Sequence, residues 1–289
     1  MIKLGVVFPQ TEFGNDAGAF REWTLAVEKM GFSHVYAYDH VIGANKASRP
    51  DWAGPYHLDT PFHEPFTLFA FMAGVSKKLS YVSGVFILPQ RQTVLFAKQA
   101  ACLDVLCEGR LRLGIGTGWN DVEYTALNEN FHNRGRRQAE QVAVLRALWT
   151  QRLVNFQGKY HTIPDAGLWP LPVQQPIPIW FGGGSDAALR RMAQLGDGWM
   201  TNTGNLDQLT GELATLRGYI SDAGRDPSTF GVEFRMSLRR DLAPEWPGMI
   251  ERLAGLGVSH VSINTMNSGL EDVQAHLAAI ERFADSVRG

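Results

Sequence analysis

The chain contains only two cysteines, Cys102 and Cys107, among its 289 residues. They lie five residues apart in a stretch with helical periodicity, which is a poor geometry for a disulfide bond. Two cysteines alone also provide too few ligands for a structural zinc site. Both are therefore expected to be core thiols of a protein from a reducing compartment.

Charged residues make up only 19% of the chain, and long apolar stretches are missing. The 27 basic and 29 acidic residues leave a net charge of −2, which gives no overall field for a nucleic-acid backbone or an anionic membrane. No apolar run approaches the roughly 20 residues that cross a bilayer, and the N-terminus lacks a secretory signal pattern. We expect a cytoplasmic protein without a nucleic-acid or membrane partner.

Several familiar catalytic motifs are also missing. The chain has no P-loop, HExxH, CxxC or GxSxG pattern, and no lysine or metal-ligand cluster at the end of a predicted strand. A bound metal ion and an aldolase-like or lyase barrel are therefore disfavoured. Gly114, Gly116 and Gly118 form GIGTG, which lacks the final glycine spacing of a dinucleotide-binding fingerprint.

What the chain does have is a regular alternation of short apolar or β-branched runs with longer stretches of helical period. This alternation is the signature of βα units around a parallel sheet. The eight runs are Ile2–Phe8, His34–Tyr38, Leu79–Leu88, Leu111–Gly116, Ile177–Phe181, Gly198–Thr201, Gly231–Leu238 and His260–Asn264. They favour an α/β protein with a single (β/α)8 TIM-barrel domain over residues 1–289, although a doubly wound open sheet shows the same alternation.

Two connections, after the second and fourth predicted strands, are longer than ordinary turns. The first spans about 41–65, is rich in aromatic residues, and would lie at the end of a barrel where active sites form. It is a candidate lid or substrate wall. The second spans about 151–176 and is predicted to contain a hairpin over Val154–Tyr160, turning at Gly158. Helical spacing is clearest in Ala17–Met30, Thr93–Cys107 and Gln138–Trp149.

Asp39 and His40 lie just beyond the second predicted strand, at the expected mouth of the barrel. Histidine can exchange protons near neutral pH, so His40 is a candidate acid or base. The alternative is that the pair caps the strand end and orders the loop. Phe62, His63 and Glu64 occupy a similar place within the long loop, where a structural role is favoured.

Gly182, Gly183, Gly184 and Ser185 follow the fifth predicted strand and open a helix. Free backbone N–H groups at a helix N-terminus form a natural cradle for a phosphate. The same glycines would also suit a tight βα turn. Asp186 counts against an anion here unless its side chain points away from the cradle.

Gly116 and Trp119 belong to the turn that ends the fourth predicted strand. Glycines there would let a flat ligand approach the backbone closely. A large aromatic residue directly after such a strand is costly to expose, so Trp119 would wall a cofactor or substrate, or pack under a neighbouring loop.

Four segments together resemble the luciferase-like flavin and deazaflavin oxidoreductases, most closely a subgroup that uses coenzyme F420. The segments are YDH at Tyr38–His40, the stretch Ser83–Leu127, RGRRQAEQ at Arg134–Gln141 and PIPIWFGGGS at Pro176–Ser185. The middle segment is the most specific, because its strand, PQR turn, helix, GRL strand and GxGW turn occur in family-like order and spacing.

The resemblance implies a TIM barrel with the ring of F420, or alternatively FMN, across its C-terminal mouth. It also implies a non-prolyl cis peptide between Gly84 and Val85 under that ring, near Gly116 and Trp119. The phosphate end of the cofactor would meet the Gly182–Ser185 turn together with Asn202 and Thr203. A homodimer formed through barrel helices is expected by the same resemblance, and the apolar segments Phe66–Val75 and Val94–Leu106 are compatible with it.

The resemblance implies hydride transfer between F420 and a small organic substrate, either an alcohol or carbonyl or an activated double bond. His40 falls where F420-dependent sugar-phosphate dehydrogenases have a histidine that accepts the substrate hydroxyl proton. Those enzymes have a glutamate at the position of Trp119 and a tryptophan at that of Ala44, which argues against a sugar phosphate here. Two alternatives stay open: an FMN-dependent monooxygenase supplied by a separate reductase, and a non-catalytic carrier of flavin or deazaflavin.

Overall fold

Parallel strands and helices alternate along the chain in the computed structural model, which describes residues 2–238 and 240–288. The strands in this part of the chain are β1 (Lys3–Val7), β2 (His34–Ala37), β3 (Ser80–Ser83), β4 (Phe86–Ile87), β5 (Leu111–Gly116), β6 (Val154–Gln157), β7 (Thr162–Ala166), β8 (Ile179–Gly182), β9 (Gly198–Met200), β10 (Gly231–Ser237) and β11 (His260–Asn264). The α-helices are α1 (Ala17–Lys29), α2 (Pro65–Ala73), α3 (Thr93–Leu106), α4 (Asp121–Ala126), α5 (Arg134–Thr150), α6 (Asp186–Leu195), α7 (Leu206–Asp222), α8 (Trp246–Gly255) and α9 (Val273–Arg288).

Nine of these strands form one parallel sheet in the order β3-β2-β1-β11-β10-β9-β8-β5-β4, and a further pairing of β3 with β5 closes it into a barrel. We call each of the eight positions around the barrel a stave. The third stave is made of two short strands, β3 followed by β4, and both pair with β5, as in Tyr81 opposite Leu111 and Phe86 opposite Ile115. The peptide bond between Gly84 and Val85, which joins these two strands, is cis. The closed barrel is thereby confirmed, and each predicted strand overlaps a stave.

Side chains fill the barrel interior in layers, as is usual for this fold. An apolar layer contains Val7, Tyr36, Val82, Trp180, Met200 and Met266. Three glycines make room for large interior rings: a Cβ at Gly5 would collide with the imidazole of His34, and a Cβ at Gly198 or Gly231 would collide with the indole of Trp180. The layer nearest the N-terminal ends of the strands is polar and contains a buried ion pair.

The helices cover the outside of the barrel with their apolar faces, and α1 illustrates how. Asp16 caps its N-terminus by accepting a hydrogen bond from the N–H of Gly18 at 2.8 Å. Phe20 and Trp23, on one face of α1, are buried and meet Phe8, the residue after β1, edge-on, with ring centroids 5.2 Å apart in each pair. The spacing of apolar residues seen in the sequence is therefore the spacing of the core contact.

Two elements extend beyond their predicted bounds. The hairpin does turn at Gly158, whose N–H donates to the carbonyl of His161, but its second strand continues to Ala166. That strand buries only Ile163, so it lacks an apolar alternation that a sequence pattern could reveal. Helix α5 begins at Arg134, four residues before the predicted start, because its first turn is polar and carries no apolar periodicity.

The cysteines are free thiols, and Cys107 is buried just beyond the end of α3. Burial raises the pKa of the Cys107 thiol to about 11, so the thiol stays protonated and unreactive near neutral pH. In the described part of the chain, none of the helices combines the length and apolar character needed to cross a bilayer.

Candidate active site at the mouth of the barrel

A cavity of about 370 Å³ opens at the C-terminal ends of the strands, where active sites of this fold lie. It brings together most of the residues singled out in the sequence: Asp39, His40, Gly84, Val85, Gly116, Trp119, Gly182, Gly183 and Asn202. The cavity is also lined by Tyr38, Tyr56, Ile87, Thr117, Gly118 and Arg235. Gly184, Ser185 and Thr203 are not among the residues that line it.

The floor of the cavity is main chain from three neighbouring staves. It is built by Gly84 and Val85 after β3, by Gly116 of β5 and by Gly182 of β8. A Cβ at Gly116 or Gly182 would meet the side chain of Val85, at 3.0 Å in the case of Gly182. Glycine is therefore needed for these staves to pack around Val85, whose side chain fills the space that larger residues at 116 and 182 would take.

His40 is paired with a buried carboxylate that the sequence analysis did not identify. The Nδ1 atom of His40 lies 3.1 Å from Oε1 of Glu123, a residue of α4 that is only 1% exposed. The same carboxylate accepts hydrogen bonds from the N–H of Val41 at 3.0 Å and from Nε2 of Gln90 at 3.1 Å. Glu123 therefore fixes the orientation of the imidazole at the edge of the cavity.

The environment keeps Glu123 ionised. Burial alone would raise the pKa of its carboxyl group, but the hydrogen bonds from His40, Gln90 and Val41 outweigh burial and hold the pKa below its usual range. An ionised carboxylate accepts a hydrogen bond, so Nδ1 of His40 carries a proton and donates it. In the neutral imidazole the other nitrogen, Nε2, is then the proton acceptor.

Aromatic rings from the long connection surround His40. Its ring centroid lies 4.7 Å from that of Tyr56, 4.8 Å from Phe62 and 5.8 Å from Trp119. Trp119, which lies in the turn after β5, is 41% exposed and packs against Trp52 of the long connection, with ring centroids 5.6 Å apart. The connection thus forms an aromatic wall beside the cavity, as the sequence indicated.

The carboxylate of Asp39 is occupied by other groups. Arg91 donates to both of its oxygens, at 2.7 Å and 3.3 Å, and the N–H of Ile87 donates to Oδ2 at 3.1 Å. Arg91 also pairs with Glu64, which caps α2 through the N–H of Thr67. Asp39 and Glu64 therefore hold the strand end and the long connection in place.

The turn between β8 and α6 is the segment in which the sequence predicted an anion cradle. Gly183 adopts a φ of 112°, and its carbonyl accepts a hydrogen bond from Nε1 of Trp199 at 2.8 Å. The Ser185 hydroxyl caps α6 through the N–H of Ala188. Asp186 bonds to Arg190 and Tyr219, so this carboxylate is engaged with neighbouring helical side chains.

Arg235 lines the cavity and was, like Glu123, missed by the sequence analysis. It extends from β10 among three tyrosines, and its guanidinium lies 5.4 Å from the ring centre of Tyr38. Burial would lower the pKa of Arg235, but the neighbouring Tyr38, Tyr36 and Tyr56 raise it overall, so its charge persists. Burial also raises the pKa of Tyr36 to about 12, which keeps that hydroxyl protonated.

The sequence model of the luciferase-like monooxygenase family matches residues 3–243 of the chain. The chain belongs to the luciferase-like monooxygenase family. An uncharacterized protein of Mycobacterium tuberculosis H37Rv is 32% identical to it over 272 residues, which cover 91% of this chain and 92% of that protein. Membership of the family makes the chain a luciferase-like oxidoreductase or monooxygenase by class.

Other relatives of this chain include a dehydrogenase and a monooxygenase. An F420-dependent glucose-6-phosphate dehydrogenase of Segniliparus rotundus is 28% identical over 259 residues, 84% of this chain and 70% of that enzyme. The pyrimidine monooxygenase RutA of Allorhizobium ampelinum is 32% identical over 176 residues, 58% of this chain and 47% of that enzyme.

Solved structures of the family share the fold. An F420-dependent secondary alcohol dehydrogenase in complex with an F420–acetone adduct superposes with a TM-score of 0.80 at 19% identity, covering 100% of this chain and 99% of that one. The monooxygenase RslO1 of Streptomyces bottropensis gives a TM-score of 0.79 at 20% identity, covering 99% and 98%.

Proposed function

We propose that this protein catalyses hydride transfer between coenzyme F420 and a small alcohol or carbonyl compound, with His40 handling the proton. The observation that carries the proposal is the His40–Glu123 pair, held at 3.1 Å beside a cavity whose lining is rich in glycine. When bound, F420 would supply the hydride chemistry, because no side chain can donate or store a hydride. The protein then has to position the substrate and move one proton.

His40 is equipped for the proton step. Glu123 fixes Nδ1 as the protonated nitrogen, so Nε2 can accept the hydroxyl proton of an alcohol or, once protonated, return it to a carbonyl oxygen. The positive imidazolium formed in between would be stabilised by the adjacent carboxylate, as in other histidine–carboxylate pairs. We assign Glu123 the role of a positioning residue, and Asp39 that of holding the loop through Arg91.

The cavity suits a flat cofactor with an anionic arm. The glycines at positions 84, 116 and 182 would let a planar ring lie against the backbone, and Gly182 and Gly183 of the cradle line the same cavity. Asp186 is bonded to Arg190, whose positive charge offsets the negative charge that weighed against an anion at this turn. Arg235 would meet an electron-rich edge of the ring or an acidic group of the substrate.

The wall around His40 indicates the character of the substrate. Tyr56, Phe62 and Trp119 give it an aromatic face, and Arg235 is the one cation among the described residues that line the cavity. This arrangement favours a largely apolar alcohol or ketone over a sugar phosphate, in line with the replacement of the glutamate by Trp119. Relatives that use F420 and relatives that are monooxygenases both support oxidoreductase chemistry at this mouth.

Titration of the purified protein with F420 and, separately, with FMN tests the cofactor. We expect F420 to bind at least about tenfold more tightly, a difference of about 1.4 kcal/mol in binding free energy. The Gly182→Val variant should weaken F420 binding by a similar factor or more, because its side chain would press against Val85 and displace the floor of the cavity. The matched control is Gly218→Val, since the space around Gly218 in α7 is open.

Tighter binding of FMN, with oxygen consumption that requires reduced FMN, would contradict the F420 proposal. That result would instead support the monooxygenase and would call for a reductase partner. Equal loss of binding in the Gly182→Val and Gly218→Val variants would also count against a ring on this floor. Circular dichroism of both variants checks that the barrel is intact.

We also propose that the chain forms a homodimer through α2 and α3. These helices pack against each other, with the rings of Phe66 and Phe96 5.0 Å apart, and they leave apolar side chains uncovered. The exposed residues are Phe71, Val94, Leu95, Val105 and Leu106, and Leu106 is 63% exposed. Exposed apolar side chains on two neighbouring helices are the kind of surface that protein–protein contacts cover.

Light scattering after size exclusion is expected to give twice the 32.1 kDa mass of the chain. The double variant Leu95→Glu/Leu106→Glu should be a folded monomer, because two carboxylates would be desolvated in the interface. Leu153→Glu is the control, since Leu153 is 57% exposed, like Leu95, but lies outside these helices. A monomeric wild type, or a dimer in the double variant, would contradict this interface.

A further inference from the structure

A second polar cluster lies at the opposite end of the barrel from the cavity that contains His40. At its centre Glu233 of β10 accepts hydrogen bonds from Nε2 of His34 at 2.9 Å and from Arg112. The guanidinium of Arg112 lies 4.1 Å from the ring centre of Trp180. His34, Arg112 and Trp180 of this group line a cleft of about 500 Å³ at the N-terminal ends of the strands.

The cleft is lined by cations. Lys3, Lys78, Arg110 and Arg112 all face it, together with His34 and His260. Burial lowers the pKa of His260 to about 3, assisted by the charges of Arg112 and Lys3, so its ring is neutral near pH 7. With Arg112 balanced by Glu233, the other three cations leave a local excess of positive charge.

Within the described part of the chain, two guanidinium N–H groups of the residues that line the cleft have no hydrogen-bond partner. Nη1 of Arg112 and Nε of Arg110 are buried and make no hydrogen bond to the described residues. Buried donors are normally satisfied, and both of these belong to side chains that line the cleft. Arg110 also donates to the carbonyls of Leu79 and Ser76, so an anion in the cleft would complete the hydrogen bonding of the two guanidinium groups. Guanidinium groups bind planar or tetrahedral oxyanions with high geometric preference.

The nearby carboxylates do not provide an acceptor for these two N–H groups. Glu28 accepts the hydroxyl of Ser76 and the N–H groups of Lys77 and Lys78. Asp104 accepts two hydrogen bonds from Gln174. Both carboxylates are thus engaged by groups other than the cations of the cleft, and neither is among its lining residues.

From this geometry we propose that the N-terminal mouth of the barrel is a binding site for a phosphoryl group. The ligand would be inorganic phosphate or the phosphate of a small metabolite, held by the guanidinium groups of Arg110 and Arg112 and by Lys3 and Lys78 at the rim. This site is separate from the glycine cradle at the other end of the barrel and does not depend on the proposed redox function.

Calorimetric titration with inorganic phosphate at low ionic strength, with sodium chloride as the reference anion, tests the site. The wild type should bind phosphate in preference to chloride. The double variant Lys3→Glu/Lys78→Glu should bind at least about tenfold more weakly, because both side chains are exposed at the rim and can be replaced without disturbing the core. The matched control, Lys77→Glu/Lys159→Glu, makes the same change in net charge at exposed lysines that do not line the cleft, and should stay within about twofold of the wild type.

Location is tested independently by NMR. Phosphate should shift the imidazole resonances of His260 in the wild type and in the Lys77→Glu/Lys159→Glu control, but not in Lys3→Glu/Lys78→Glu. Equal weakening in both double variants, absence of phosphate binding in the wild type, or binding that leaves His260 unshifted would each overturn the proposal. Any weaker binding that persists in Lys3→Glu/Lys78→Glu would report the cradle at the opposite mouth.

Discussion

Replacing Glu233 with glutamine is expected to lower the free energy of unfolding at neutral pH by about 3–5 kcal/mol. The substitution keeps the size of the side chain but leaves the guanidinium of Arg112, whose side chain is only 11% exposed, without a negative partner. A buried charge that loses its partner is far more costly than the pair is favourable. Chemical denaturation of the wild type and the variant measures the difference.

The pH dependence of that difference has a defined sign. Burial would raise the pKa of Glu233, but Arg112 and His34 outweigh burial and hold it far below the ordinary value of 4.5. The stabilisation is therefore fully present above pH 4.5 and is lost as the pH falls from there toward the folded-state pKa. The gap between wild type and Glu233→Gln should be constant from about pH 5 to pH 7 and should narrow in acid.

A double variant separates the ion pair from its surroundings. Arg112→Met/Glu233→Gln removes both charges, so it should recover much of the stability that Glu233→Gln loses. Glu281→Gln is the control on the exposed face of α9 and should change the free energy of unfolding by less than about 0.5 kcal/mol. A loss in Glu233→Gln no larger than in Glu281→Gln would show that Arg112 is solvated in the folded protein.

The barrel could be predicted from the sequence because each stave is an apolar run with a clear boundary. Lys3–Val7 and His260–Asn264 are examples: most residues of each run are buried inside the sheet, and the second run follows a turn that contains Gly257. Closure could not be derived from periodicity, since it depends on the pairing of β3 with β5 across a third stave split at Gly84 and Val85. The family resemblance supplied that step.

The candidate site was predicted where its residues lie at the end of a strand or shortly after it. His40, Gly116 and Gly182 are of this kind, and all three line the cavity. Glu123 was missed because it lies in a short helix whose sequence, DVEYTA, reads as an ordinary solvent-facing turn. Arg235 was missed for a different reason. The sequence shows a charged residue inside an apolar strand, but it does not show whether that residue faces the barrel interior, because this depends on the register of the strands. A charged residue within a predicted barrel strand is the signal that would have identified it.

Replacing His40 with asparagine is expected to lower kcat by about 10²–10⁴-fold, the range typical for loss of a general acid or base. The substrate for the measurement is the most active alcohol or ketone from a panel assayed with F420. Binding of F420 should change by less than about twofold, because proton handling and cofactor binding use different residues of the cavity. Glu123→Gln should cause a smaller fall in kcat with little change in KM, since it disturbs the orientation of the imidazole without removing it.

His57→Asn is the matched control for His40. His57 belongs to the same long connection and also has a carboxylate neighbour, with its Nδ1 atom 3.4 Å from Oδ2 of Asp59, but that carboxylate is 75% exposed and the pair does not line the main cavity. Turnover of His57→Asn should therefore match the wild type. Added imidazole should restore part of the activity of His40→Ala if the missing function is proton transfer. If His40→Asn turns over every substrate as fast as the wild type, the proton must travel by another route. If neither protein turns over any substrate while both bind F420, the chain carries the cofactor and the pairing of His40 with Glu123 is structural.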